Sequence, residues 1–269
     1  MKEPDALAES CLLVTFSTVR LVAPLAAAAL LASCSSGGAD PAGSGEDSPT
    51  SAPTAAALPD APSNPYTGRS AQFRDRQLLN AAGTGDADKI ALLVEAGANV
   101  ETRDARERTP LLIAATDDHV AAARVLVGAG ADPDALDVRH DTPWLVTGVT
   151  GSIPMAQVLL TASPDLTIRN RFGGVSHIPA SERGHADYVA FVVQSTDIAI
   201  DHVNDLGWTA LLEAVILGRG TEPWQRIVDT LVKNGADVSI ADRDGITALQ
   251  HARRLGFTEI AGILDRASS

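Results

Sequence analysis

A period of thirty-three residues constrains this chain more than any other feature. The stretch "TPLLIAA" opening at Thr109 returns as "TPWLVTG" at Thr142, and the same phase recurs at Arg76, Val175, Thr209 and Thr247, at spacings of 33, 33, 33, 34 and 38. Units of that length are single supersecondary elements that bury their apolar faces only against their neighbours, so they must stack into a solenoid.

Each recurring position has a physical task. Five residues after each phase mark stand Ala81, Ala114, Thr147, Ala180, Ala214 and Ala252, small enough to let two helices approach closely. Nine residues after it come Gly85, Asp118, Gly151, Gly184, Gly218 and Gly256, residue types suited to the left-handed conformation that ends a first helix. Thr109 and Thr142 can cap a helix start, with Pro110 and Pro143 at the first helical position, where no N–H is needed. Apolar spacing through Val125, Leu126 and Val127 builds a second helix. "GAN" at 97 and "GAD" at 130 and 235 then turn the chain into an extended hairpin towards the next unit.

On these residues the chain resembles the ankyrin-repeat family over about residues 70 to 267. The resemblance implies an all-α repeat solenoid of about six units, each a helix–turn–helix followed by a β-hairpin, with atypical units capping the ends. The first unit, which lacks Thr-Pro, and the last, which stops after its second helix, read as those caps. The family's usual histidine after Thr-Pro-Leu is replaced by Leu79, Leu112, Leu145, Ile178, Leu212 and Gln250, so its polar link between units is expected to be missing. The fourth unit departs most, with "VSHIPA" at its opening and "STDIAI" for the Gly-Ala-Asp turn, and local opening is expected to begin there, over 175 to 195. Five extra residues around "GRGTEPW" are expected to place Trp224 on a lengthened loop.

The N-terminal part follows different rules. The run from Leu21 to Ala32, about 18 Å as a helix, is too short for the ~30 Å hydrocarbon core of a bilayer. Behind Arg20 and ending in small residues, it matches a secretory signal peptide. Leu31, Ala32, Ser33 and Cys34 resemble the lipobox of bacterial lipoproteins, which implies cleavage before Cys34 and lipid attachment at its thiol. The stretch from Ser35 to Pro65 is Ser-, Gly-, Pro- and Ala-rich, without a basic residue, and reads as a disordered tether. The expected organisation is therefore a signal peptide at 1–33, a lipid-anchored linker at 34–65 and the ankyrin domain at 66–269. Glu3, Asp5 and Glu9 sit poorly in a leader, which suggests that translation starts later, at Val14 or Val19.

The chain of 269 residues carries a net charge of −13, which disfavours nucleic acid. Two cysteines exclude a disulfide framework, and the six histidines include no HExxH pair or metal-ligand spacing. No phosphate loop or GxSxG elbow appears, so neither enzyme activity nor a cofactor or metal is expected. What remains is a binding surface. Mapped by phase, the hairpin tips carry Arg106, Arg108, Arg139, Arg171, Phe172, Leu206, Trp208 and Ile246, of which the four apolar residues are expected to form an exposed stripe for a protein partner. The expected protein is a monomeric, lipid-anchored interaction module on the outer face of the cytoplasmic membrane or in the periplasm. The competing readings are an enzyme with a site on the array's concave face and a passive spacer.

Overall fold

A computed structural model describes residues 63–268. The signal peptide, Cys34 and the greater part of the linker lie outside the described residues. Among the described residues no helix is long and apolar enough to cross a membrane.

Six helix pairs follow one another: α1 Ala71–Thr84 with α2 Ala87–Glu95, α3 Pro110–Thr116 with α4 Val120–Gly128, α5 Pro143–Thr150 with α6 Ile153–Leu160, α7 His177–Arg183 with α8 Ala186–Ser195, α9 Ala210–Ile216 with α10 Glu222–Lys233, and α11 Ala248–Leu255 with α12 Thr258–Ala267. The first helices of successive units pack on one another in one layer, and the second helices do so in another. Helices of seven to fourteen residues are too short to be stable alone in water, so the stack supplies their stability.

The starts of the first helices follow the sequence. Thr109, Thr142 and Thr209 each accept the N–H three residues on, at 3.2, 3.1 and 3.3 Å, and Thr247 does so within a capping box with Gln250. Each such cap stabilises its helix by about 1 kcal/mol. Unit four has no counterpart: Ser176, before α7, is itself in helical conformation and makes no side-chain cap bond.

The alanine column is wholly inside. Ala81, Ala114, Ala180, Ala214 and Ala252 are buried, and Thr147 fills the remaining slot with no exposure at all. Around this column Leu78, Leu112, Ile178 and Leu212 form the core of the first layer, and Ile90, Leu126, Leu159, Val192, Leu231 and Leu264 that of the second. Trp144 is core as well. At the closest approach, a Cβ added to Gly148 on α5 would lie 1.8 Å from the carbonyl oxygen of Ser176, so the two backbones touch there.

The hairpins form without strands. Among the described residues the only bridge joins Ala241 and Thr247, and each connection is instead a tight turn built on one side chain. Asp104, Asp137, Asn170, Asn204 and Asp242 each accept two backbone N–H groups, two and four residues on, through the same oxygen at 2.8 to 3.0 Å. The chain then closes from each of these residues' N–H to the carbonyl four residues on, as in Asp137 to Asp141 at 3.1 Å. A side chain that supplies the turn's acceptor makes a longer ladder unnecessary.

Two expectations need correcting in unit five. Trp224 is not on a loop: the extra residues are absorbed before α10, which contains it, and the indole is nine-tenths buried. Gly218 does not take the left-handed conformation, which passes to Gly220 at φ 66°.

Candidate functional site: the row of hairpin tips

The tips lie side by side because neighbouring turns bond to each other. Val138 N–H donates to the Arg106 carbonyl at 3.1 Å, and Asp205 N–H to the Phe172 carbonyl at 2.9 Å. Arg103 reaches the Leu136 carbonyl at 2.7 Å, and Arg243 reaches the carbonyl of Asp205. The result is a row of adjacent turns, bonded through the backbone at every step except that between the turns at 137–141 and 170–174.

Of the expected stripe, Phe172 is 51% exposed and Leu206 is 44% exposed. Trp208 and Ile246 are half-buried, with Trp208 packed against the core. They sit one residue before the helix-capping Thr209 and Thr247, where the chain already turns inward, so they support the tips from beneath. Val138, 56% exposed on the preceding turn, takes their place in the apolar row. It stands at the phase of Arg171 one unit on, and sequence reasoning passed over it in favour of its neighbour Arg139.

The arginines divide into two kinds. Arg108 is tied down by a 2.8 Å ion pair with Asp104. Arg106 and Arg139 are exposed, the latter 3.7 Å from Asp141. Arg171 stacks over the Phe172 ring at 4.5 Å and also reaches Asp141 at 3.5 Å. Burial pushes the Asp141 carboxyl up, and the Arg171 charge works against that shift. An exposed aromatic ring held under a guanidinium presents apolar area and positive charge together at little cost in side-chain freedom.

Beneath the tips, the last two turns are latched to their own first helices. Asn204 donates to Glu213 at 2.7 Å, and Asp242 pairs with His251 at 2.6 Å. The equivalent helix positions in units two to four hold Ile113, Val146 and Pro179. Glu213 is buried, and desolvation, with the neighbouring Glu182 charge, raises its pKa to about 8. His177, wholly buried on α7, is pushed down to about 4 by desolvation.

Polar links between units are present after all, but from another position. His119 and His185 place Nε2 3.2 and 3.1 Å from the carbonyls of Gly83 and Val149 in the preceding units. Trp224 donates its indole N–H to the Glu182 carbonyl at 3.1 Å. Among the described residues no group of three or more His, Cys, Asp or Glu side chains is placed to hold a metal ion.

Stacked helix pairs, threonine caps and a row of side-chain-closed turns define an ankyrin array, and the chain belongs to the ankyrin-repeat family. The family model of three ankyrin copies matches residues 78–170, and a single-repeat model matches 206–243. Over 191 residues the chain is 36% identical to the ankyrin repeat protein YahD of Escherichia coli (strain K12), covering 71% of this chain and 95% of that protein. An ankyrin repeat domain from Acinetobacter baumannii AYE shares 41% identity at a TM-score of 0.69, covering 71% of this chain and 97% of its own. The ankyrin repeat protein EF0377 shares 39% at 0.68, covering 70% and 96%. The ankyrin domain of Bcl-3, at 24% identity and a TM-score of 0.64, shares the fold. Ankyrin-repeat proteins generally mediate protein–protein interaction and are typically non-enzymatic scaffolds.

Proposed function

We propose that this chain is a lipid-anchored interaction module of the bacterial cell envelope, fastened through Cys34 and holding a protein partner along its hairpin tips as scaffold, inhibitor or stabiliser. Val138, Phe172 and Leu206 provide the apolar anchors, and Arg106, Arg139 and Arg171 the charged rim. One observation carries the tip reading: three large apolar side chains, each more than two-fifths exposed, stand on three consecutive turns. Exposed apolar groups in a row beside arginines are the side chains that dominate binding energy at interfaces.

The anchor rests on the lipobox-like residues Leu31 to Cys34 and the linker that follows. Two acyl chains hold a protein stably on a bilayer, which a surface of net negative charge does not do unaided. Working as a monomer on the outer face of the cytoplasmic membrane, or in the periplasm, the module would keep its partner close to the lipid.

Both halves are tested in one fractionation. Wild type, Cys34→Ser and the tip double variant Phe172→Ala/Arg139→Glu are expressed with the full chain, and membranes are isolated before cross-linking. The expected result is loss of Cys34→Ser from the membrane fraction, and a tip variant that stays on the membrane without the partner that wild type captures. Membrane retention of Cys34→Ser contradicts the anchor, and equal capture by the tip variant contradicts the tip surface.

A further inference from the structure

The seam between units three and four is built differently from the others. Among the described residues, four buried side-chain nitrogen or oxygen atoms have no hydrogen-bond partner, and three of them, Trp144 Nε1, Ser176 Oγ and His177 Nδ1, belong to α5 and to the start of α7, the two first-layer helices that meet at this seam. Each such atom gives up its hydration without a partner in return. Thr147 stands where the other units have alanine. Its hydroxyl donates to the Trp144 carbonyl at 2.6 Å and accepts from the Tyr188 phenol at 2.6 Å. The Ser176 hydroxyl lies beside that phenol, whose only well-formed bond is the one to Thr147.

The other layers repeat the pattern. The turn leaving α6 uses Ser163 at φ 55°, a conformation that glycine supplies at Gly97, Gly130 and Gly235 in other units. The second-layer helices α6 and α8 make the sparsest contact of any adjacent pair in that layer. Between the tips, a backbone hydrogen bond joins unit two to three and another joins four to five. Between three and four stands only the Arg171–Asp141 ion pair at 3.5 Å, a long and partly exposed contact. The seam keeps one further link outside its core, His185 to the Val149 carbonyl, an exposed side-chain bond. The bond between the turns that follow the second helices, made by Asp165 to Asp134 between units two and three and by Asp237 to Asp201 between units four and five, has no counterpart here.

We propose that this seam divides the array into two cooperative blocks, units one to three and units four to six, which open from each other before either block unfolds. In a solenoid, stability is a sum of unit and nearest-neighbour terms, so one weak interface uncouples what lies on either side of it. The tip surface crosses the seam, with Val138 on one block and Phe172 and Leu206 on the other.

Hydrogen exchange of the full chain at neutral pH tests this. Amides of α7 to α12 are expected to exchange through one common opening, about tenfold faster or more than those of α3 to α6. The double variant Thr147→Ala/Tyr188→Phe replaces the buried hydroxyls with the apolar contact of the other seams and is expected to narrow that difference severalfold. If α3 to α12 exchange with a single common rate in wild type, or if the step falls at another seam, the inference is overturned. It is overturned equally if the variant folds and leaves the step unchanged.

Discussion

The indole N–H of Trp224 donates to the carbonyl of Glu182 at 3.1 Å, the same bond that His119 and His185 make to Gly83 and Val149 two units apart. Its ring lies over Gly184, where an added Cβ would come 3.0 Å from the indole. A tryptophan therefore does the work of a histidine, and five inserted residues bring it into register. Trp224→Ala removes both packing and bond and is expected to destabilise the array by about 3–5 kcal/mol, whereas Trp224→His retains the bond and loses less. Urea unfolding of the two variants checks the order.

Turn closure by one carboxylate or amide gives a sharper test. Asp137 accepts the N–H groups of Arg139 and Asp141 and is nearly buried. Asp137→Ala leaves both donors unpaired and is expected to cost about 2 kcal/mol. Asp137→Asn is expected to be close to neutral, since Asn170 and Asn204 do the same task in units four and five. Thermal denaturation of the pair distinguishes a turn acceptor from a structural charge.

Gly148 sets the distance between α5 and α7, its missing Cβ lying 1.8 Å from the Ser176 oxygen. Gly148→Ala must push two backbones apart and is expected to cost about 3 kcal/mol or more. Gly128→Ala, with open space around its Cβ, is the control and is expected to be neutral or slightly stabilising. Denaturant midpoints of the two variants report the difference.

The buried acid predicts a pH dependence. Glu213 has its ordinary pKa of 4.5 raised to about 8 in the folded state, by burial first and the Glu182 charge second. Folding therefore favours its protonated form. That contribution is complete below 4.5 and is lost as the pH rises to about 8. His177, lowered from 6.5 to about 4 by burial, acts oppositely: its contribution is complete above 6.5 and is lost as the pH falls towards 4. Glu213→Gln keeps an acceptor for Asn204 and removes only the first slope. Its stability relative to wild type is expected to rise steadily between pH 4.5 and 8, measured as the urea midpoint at several pH values.

How much of this was legible in the residues follows from what each signal measures. Threonine caps, the alanine column and the 33-residue period act within one unit, so they disclosed the helix pairs and their stacking. The strandless hairpins were missed although Asp104, Asp137, Asn170, Asn204 and Asp242 recur in phase, because a turn acceptor is an isolated polar residue with no periodic apolar partner. Trp224 was misplaced because its histidine-like bond is to a main-chain carbonyl, which carries no side-chain signature. Exposure at the tips was legible for Phe172 and Leu206 but not for Trp208, whose inward turn depends on the neighbouring unit.

The most direct test of the tip surface is a photoreactive amino acid placed at position 172 of the anchored protein in living cells, with position 157, exposed on α6, as the control. A discrete adduct to a single protein at 172, absent at 157 and diminished by Arg139→Glu, is what the account predicts. Identical labelling from both positions, or none at 172 while 157 reacts, would contradict it.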